Sequence, residues 1–158
     1  MKNLFLIALG IFSFFSTNAQ TNIVESGEQY LSAFIDRDFE KVISMTHSHL
    51  VELGGGSELM IKDLYAERQS MVDSGMDYVK GSLGTPGEIV DTNKELQAII
   101  PVTFQLVMNK QEVEQTSHLL AISNNGGESW SFLDVNKYDK ESLKTFIPSL
   151  SDKLTIPE

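Results

Sequence analysis

The stretch Leu96–Met108, LQAIIPVTFQLVM, decides the fold of this 158-residue chain. Apolar side chains recur in it at every second position: Leu96, Ala98, Ile100, Val102, Phe104, Leu106 and Met108. This strict alternation predicts a long β-strand with one face on a core. Pro101 lies in its middle and cannot donate a ladder hydrogen bond. We therefore expect an edge position, a bulge or a bend there.

The flanking segments predict the partners of this strand. The pair Asn109-Lys110 is typical of a tight turn, and a second long strand follows from about Glu112 to Ser123. A third strand is expected from Ser129 to Val135. Earlier strand segments at 76–83 and 88–92 flank the turn Gly84-Thr85-Pro86-Gly87.

The first half of the chain has the periodicity of helices. Tyr30, Leu31, Phe34 and Ile35 form one apolar stripe, which Asp36-Arg37-Asp38 interrupts. A second helix, capped by Asp38, is predicted from Phe39 to Leu50, and the glycines at 54–56 end it. Ser57 is expected to cap a third helix that runs to about Asp73.

The C-terminal segment predicts one more helix. Asp139 is expected to cap it, and it runs to about Phe146, because Pro148 disfavours a helical conformation of the residue before it. Its large apolar side chains predict that residues 139–150 pack against the domain, on the sheet or at the mouth of a cavity.

The octapeptide SNNGGESW, Ser123–Trp130, differs by one Asn-for-Asp change from the Asp-box hairpin of sialidase-type β-propellers. A propeller requires at least four four-stranded blades. This chain has one such motif, no repeat and a helical first half. The motif therefore predicts a hairpin turn, in which Asn125-Gly126-Gly127 supplies residues that tolerate a positive φ.

The N-terminus indicates export. One positive charge, the apolar run Leu4–Phe15 and the small residues Thr17 and Ala19 predict a signal peptide at 1–19, with cleavage before Gln20. An uncleaved anchor is the alternative, but the run is shorter than the ~20 apolar residues of a spanning helix. Residues 20–158 then form a single α+β domain that is periplasmic or extracellular.

Composition excludes several classes of function. The chain has 12 Lys and Arg against 22 Asp and Glu, a net charge of −10, and no cysteine. So acidic a surface repels phosphate backbones and anionic headgroups, which argues against nucleic acid and, after signal cleavage, against membranes. Disulfides and thiolate metal sites are excluded. His47 and His49 are two positions apart, which on a helix puts them on different faces and on an extended segment would put them on the same face. Solvation at a helix end or packing is the favoured interpretation, and no metal or cofactor is expected.

The order of helices and sheet resembles the nuclear transport factor 2-like (cystatin-like) superfamily. The segment YLSAFIDRDFEKVISM is similar to the helix–turn–helix that opens those domains. A closer likeness, to a group of small exported bacterial proteins without an assigned activity, rests on THSHLVELGGG, GTPGEIV, ELQAIIPV, LLAISNNGGESWSFLD and IPSLSDKLTIPE. The resemblance implies N-terminal helices packed on a curved, cone-shaped antiparallel sheet with a short C-terminal helix.

Arg68 is the most suggestive polar residue, because it falls on the apolar side of the third predicted helix. In cone-shaped folds this helix can line the cavity mouth, where an arginine and aromatic residues bind a carboxylate or a planar ligand. The alternative is that Arg68 extends to the rim with its stem over apolar surface. The candidate ligand-binding residues are Tyr30, Tyr65, Arg68, Tyr78 and His118.

These observations predict a non-enzymatic domain that binds a small ligand or a protein partner. Trp130 and Phe132 are expected in the core, with a sugar-stacking or partner surface as the alternative. No acid–base pair can be assigned by spacing, so catalytic residues stay unassigned. An isomerase, dehydratase or cyclase that uses the same cavity is one rival, and a periplasmic immunity or inhibitor protein is another. The oligomeric state, including a homodimer, stays open.

Overall fold

The structure, a computed structural model, describes residues 12–136 and 138–157. Most of the predicted signal peptide, residues 1–11, lies outside them. The helices are α1 (Phe12–Asp36), α2 (Phe39–Ser44), α3 (Ser48–Leu53), α4 (Ser57–Asp73) and α5 (Lys140–Phe146). The strands are β1 (Met76–Leu83), β2 (Val90–Asp91), β3 (Leu96–Met108), β4 (Gln111–Ser123) and β5 (Ser131–Asp134).

The five strands form one antiparallel sheet in the order β1-β3-β4-β5, and β2 pairs with β3 beyond the end of β1. The sheet is curled, the N-terminal helices pack on it, and the short C-terminal helix follows. The predicted α+β class is therefore confirmed. The turn Asn109-Lys110 is confirmed as well: both residues have a positive φ, and β3 and β4 pair without interruption from Met108↔Gln111 to Leu96↔Ser123.

Pro101 lies where one side of β3 loses its neighbour. β1 ends at Leu83, opposite Val102, and β2 begins at Val90, opposite Gln97. The carbonyl of Pro101 faces this gap and accepts from Gly84 N at 2.7 Å. The missing N–H of Pro101 therefore falls on the interrupted side of β3, where no ladder bond is lost. β3 is not an edge strand, because it lies between β1 and β4, but Pro101 falls opposite the gap between β1 and β2. The bulge is in β1, between Tyr78 and Lys80.

The sheet has a buried core on each face. One face packs under α1, and its core contains Ile23, Leu31, Ala98, Ile100, Val102, Phe104, Leu106, Leu119, Ala121, Trp130 and Phe132. The other face carries Ile99, Leu120 and Ile122, which pack against the C-terminal segment. The alternation predicted for β3 is confirmed over 98–106. Ile99 and Gln97 are also buried, because the C-terminal segment covers this end of the second face.

The predicted docking of the C-terminus is confirmed. Leu143 is fully buried, and Ile147, Leu150 and Leu154 are 1–5% exposed on the sheet face opposite α1. Asp139 caps α5 as expected, its carboxylate accepting from Ser142 N at 2.7 Å. The pKa of Asp139 is lowered, chiefly by this hydrogen bond.

Two helix predictions are wrong. The second predicted helix does not reach Leu50: it ends at Ser44, and after a break at 45–47 the separate helix α3 begins. Asp38 does cap α2, accepting from Lys41 N at 3.0 Å. The N-cap of α4 is Gly56 and not the predicted Ser57, which is the first residue of the helix. Gly56 has φ +97°, a conformation that glycine adopts without steric cost.

The octapeptide Ser123–Trp130 is confirmed as a turn. Asn125 Oδ1 accepts from Ser123 Oγ (2.9 Å) and from Ser129 N (3.0 Å). Gly127 has φ +94°, and its carbonyl accepts from Asn22 Nδ2 of α1 at 3.1 Å. The hairpin is thus fixed internally by one amide side chain and is tied to α1. None of the helices within 12–136 and 138–157 combines the length and apolar character needed to cross a bilayer.

Candidate functional site

A cleft of about 390 Å³ opens where the chain breaks between α2 and α3. At this break Phe132 N donates to Met45 O at 2.8 Å, and Thr46 forms a parallel bridge to Phe132. Thr46 Oγ1 also donates back to Val42 O at 3.0 Å, which satisfies a carbonyl at the end of α2. The backbone therefore exchanges helical hydrogen bonds for a bond to β5. This exchange fixes 45–47 beside the β4–β5 hairpin.

Three parts of the chain form the walls of the cleft, and most of the lining side chains are hydroxyls or amides. α1 contributes Ser26 and Gln29, and the α2–α3 region contributes Lys41, Ser44, Met45, His47 and Ser48. The end of β4, the hairpin and the start of β5 contribute Ile122, Asn124, Ser129, Trp130 and Ser131. Hydroxyl and amide groups offer both donors and acceptors, so these walls suit a polar ligand.

Trp130 is a buried donor without an acceptor. The residue is 4% exposed, and its Nε1 has no hydrogen-bond partner among the described residues. An indole nitrogen can only donate, and a buried donor left unpaired costs about 1–3 kcal/mol. Because Trp130 and Phe132 are both enclosed, their ring faces are not open for a sugar to stack on, and core packing was the correct prediction.

His47 presents a second buried ring nitrogen. Its Nδ1 has no partner among the residues that the structure describes. Burial lowers the pKa of His47 below its usual value; Glu95 opposes this shift, and His49 adds to it. The ring is therefore neutral at pH 7, with one nitrogen that donates and one that accepts. Both unpaired ring nitrogens belong to residues that line the same cleft.

The charge of the cleft differs from that of the whole molecule. Of the described residues that line it, Lys41 alone is charged at neutral pH, and none is Asp or Glu. The chain as a whole has a net charge of −10. Lys41 is exposed, and no ion pair of its Nζ is found within the described part of the chain. The cleft is therefore a locally cationic, hydrogen-bonding site on an acidic protein.

Arg68, the centre of the site predicted from the sequence, is committed elsewhere. It is 4% exposed, its Nε lies 2.6 Å from Asp77 Oδ1, and its Nη2 donates to Tyr78 O at 2.8 Å. The guanidinium also lies over the rings of Phe34 (5.5 Å) and Tyr78 (4.9 Å). Asp77 also forms an ion pair with Arg37, whose Nη2 lies 2.7 Å from Asp77 Oδ2. Arg68 therefore joins α4 to β1 and does not extend to a rim.

The structure does not bring the other four predicted residues together. Tyr30 and Tyr78 are on the α1-facing side of the sheet, against Phe132 and Phe104. Tyr65 is exposed and donates to Glu40 at 3.2 Å. His118 pairs with Pro101 on the opposite face, where its Nδ1 is 3.3 Å from Asn136 Oδ1. Burial raises the pKa of Tyr30 and of Tyr78, so both phenols stay protonated.

His47 and His49 have different surroundings. His49 Nδ1 lies 3.8 Å from Glu52 Oε2, while His47 faces the cleft. No group of three or more His, Cys, Asp or Glu side chains suited to a metal ion occurs within residues 12–136 and 138–157. In the part of the chain that is described, the polar cleft is thus the better candidate for function.

The sequence contained a partial signal for this cleft. The pattern around Trp130 predicts core packing, and His47 belongs to a His-x-His pair, but nothing in their spacing joins the two residues. Comparison with known protein families, characterised proteins and solved structures gives no match for this chain. Any function must therefore be inferred from the residues of the cleft itself.

Proposed function

We propose that this protein is an exported, non-enzymatic binding domain whose cleft between α1, the α2–α3 break and the β4–β5 hairpin takes a small polar ligand. One observation carries the proposal: His47 and Trp130 each have a buried ring nitrogen without a partner, and both line this cleft. Buried polar groups in proteins are nearly always hydrogen-bonded. A ligand that enters the cleft supplies the missing partners.

Neither ring nitrogen is exposed, so a ligand reaches them only when the side chains above them shift. Side-chain rotamer changes of this kind are common when a ligand binds, while the backbone moves little. The cleft volume, about 390 Å³, is at the small end of the range for ligand pockets. A metabolite-sized molecule fits this volume better than a peptide.

Binding is favoured over catalysis by the groups present. General acid–base chemistry needs two convergent titratable groups with different pKa values. Of the described lining residues only His47 and Lys41 titrate, and Lys41 is exposed. The Leu4–Phe15 run and the small residues before Gln20 support export. The resemblance to the nuclear transport factor 2-like superfamily is consistent with this role and remains a proposal.

The binding proposal is tested with Trp130, the only tryptophan of the chain and therefore a specific fluorescent reporter. We expect at least one of glucose, glycerol, acetamide, glycine, lactate and inorganic phosphate to change its emission saturably and to raise the melting temperature. Ser26→Leu and Ser44→Leu should block the cleft and abolish the response, and Ser70→Leu, on the exposed surface of α4, should not. No saturable response to any of the six compounds would contradict the proposal.

Export is tested separately. We expect mass spectrometry of secreted protein to give a chain that begins at Gln20. Exported material that retains Lys2 would show that the predicted cleavage is wrong.

A further inference from the structure

We propose that the ligand of the cleft is a small organic monocarboxylate, held between the ammonium of Lys41 and the indole N–H of Trp130. The inference rests on the proposed binding function and names its ligand class. It follows from three properties of the cleft: its surplus of donors, its local charge and its size.

The surplus of donors is the first property. Trp130 Nε1 can only donate and has no acceptor among the described residues, and Lys41 Nζ likewise only donates. The Ser129 hydroxyl, which lines the same space, accepts from Asn125 Nδ2 and keeps its own proton to donate. The hydroxyls of Ser44 and Ser131 already donate to Lys41 O (2.7 Å) and Ile122 O (3.2 Å). A carboxylate accepts at about four lone-pair positions on two oxygens and donates nothing. It therefore matches a site whose strongest unmet groups are donors.

The local charge is the second property. Lys41 gives the described lining a charge of +1, because His47 is neutral at pH 7 and no carboxylate lines the cleft. Glu95, which acts on His47 through space, has its own partners: Oε2 accepts from Gln97 Nε2 (3.0 Å) and from Ser149 Oγ (2.7 Å). The single positive charge of Lys41 therefore balances the single negative charge of a monocarboxylate.

A dianionic phosphate fits this charge less well. Phosphate sites normally use arginine forks or several backbone N–H groups. Here one lysine faces the ligand, and the chain around it carries a net charge of −10, which disfavours a second negative charge. A neutral polyol satisfies hydroxyl groups but leaves the ammonium of Lys41 without an anionic partner.

The size of the cleft is the third property. A volume of about 390 Å³ admits a molecule of a few to about ten heavy atoms, such as a short hydroxy or oxo acid. The serine and amide groups of Ser26, Gln29 and Asn124 line the rest of the space. They favour a ligand with further oxygen atoms over a purely apolar acid.

The test compares carboxylates with their neutral amides on the full protein: lactate with lactamide, and acetate with acetamide, at constant ionic strength set with NaCl. Binding is followed by Trp130 fluorescence and by the indole N–H cross-peak in the 1H–15N spectrum, which is unique because the chain has one tryptophan. We expect lactate to bind with a Kd of about 0.1–10 mM. The indole proton should move downfield, and lactamide should bind at least about ten-fold more weakly.

Two variants separate the lysine from general charge effects. Lys41→Gln should weaken lactate binding by about ten-fold, because a hydrogen bond to a charged group is lost. Lys62→Gln removes the same charge from an exposed position on α4 and should leave the Kd unchanged within about two-fold. Circular dichroism checks that both variants fold. If Lys41→Gln does not fold, the comparison of acid with amide on the unaltered protein still decides whether the cleft prefers a carboxylate.

Each other outcome has a defined meaning. Equal affinity for lactate and lactamide, tight binding of glucose or glycerol alone, or a response to phosphate alone overturns the carboxylate and leaves the binding function standing. The same holds if lactate binds without moving the indole cross-peak. Failure of every compound, the neutral ones included, overturns the binding function together with the carboxylate.

Discussion

Gln97 anchors the C-terminal segment through a hydrogen bond to the backbone of Ser151. The side chain of Gln97 is fully buried on β3, and its Oε1 accepts from Ser151 N at 2.9 Å. Its Nε2 donates to Ser149 O at 3.1 Å and to Glu95 Oε2 at 3.0 Å. One amide thus supplies both a donor and an acceptor to the C-terminal segment. Together with the burial of Leu150 and Leu154, these bonds fix the segment after α5 on the sheet.

Replacing Gln97 by Leu should therefore lower the free energy of unfolding by about 1–3 kcal/mol, because Ser151 N and Ser149 O lose their partners at a half-buried position. Chemical denaturation measures the loss. Gln105→Leu is the matched control: it is on the same strand and the same face, is only partly buried, and should change stability by less than about 0.5 kcal/mol. Equal losses at both positions would contradict the bridging role of Gln97.

Leu143 should be the residue of α5 with the largest effect on stability. It is fully buried among the apolar side chains of the second sheet face, so Leu143→Ala should cost about 2–5 kcal/mol. Leu53→Ala, at a position 58% exposed at the end of α3, should cost less than about 0.5 kcal/mol. Fast amide exchange throughout 139–150 in the unaltered protein would show that the segment is not docked.

Asp77 neutralises the buried guanidinium of Arg68. Asp77→Asn should lower stability by about 1–3 kcal/mol, because Arg68 keeps its bond to Tyr78 O but loses its counter-charge. The loss stays below that of a fully buried pair, because the Asp77 side chain is 32% exposed. Asp73→Asn, which affects only an exposed bond to Gln69 on α4, is the control. A thermal melt in which the two variants coincide would refute the structural role assigned to Arg68.

The pKa of His47 predicts a loss of stability in mild acid. Burial lowers the pKa of the folded state below the unfolded value of 6.5, so in mild acid the unfolded chain binds more protons than the folded one. This contribution is complete above the unfolded pKa and is lost as the pH falls through the folded one. His47→Gln should therefore flatten the fall of stability between about pH 7 and pH 5.

The control for this prediction is Ser48→Ala, at an exposed neighbour of His47 that carries no titratable group. It should leave the pH dependence as in the unaltered protein. Denaturant midpoints of all three proteins across this pH range are the measurement. A slope that His47→Gln does not change would mean that His47 titrates normally in the folded state.

Local sequence determined the architecture. The alternation of Ala98, Ile100 and Val102 specifies which face of β3 meets α1, because side chains on a strand alternate between its faces. Asp38 and Asp139 were recognisable as helix caps, since capping involves only atoms within three residues. Asn125 and its glycines specify a turn for the same reason. In each case the decisive contacts are between neighbours in the chain.

Only the tertiary structure decided the site. The periodicity from Phe39 to Leu50 fits one helix, yet the hydrogen bond from Phe132 N to Met45 O interrupts it. That bond joins residues 87 positions apart, so no local pattern reports it. The same break places His47 on the cleft that Trp130 also lines. The sequence determines which hydrogen-bonding groups each side chain carries. The long-range backbone contact between Phe132 and Met45 decides which of these side chains line the same cleft.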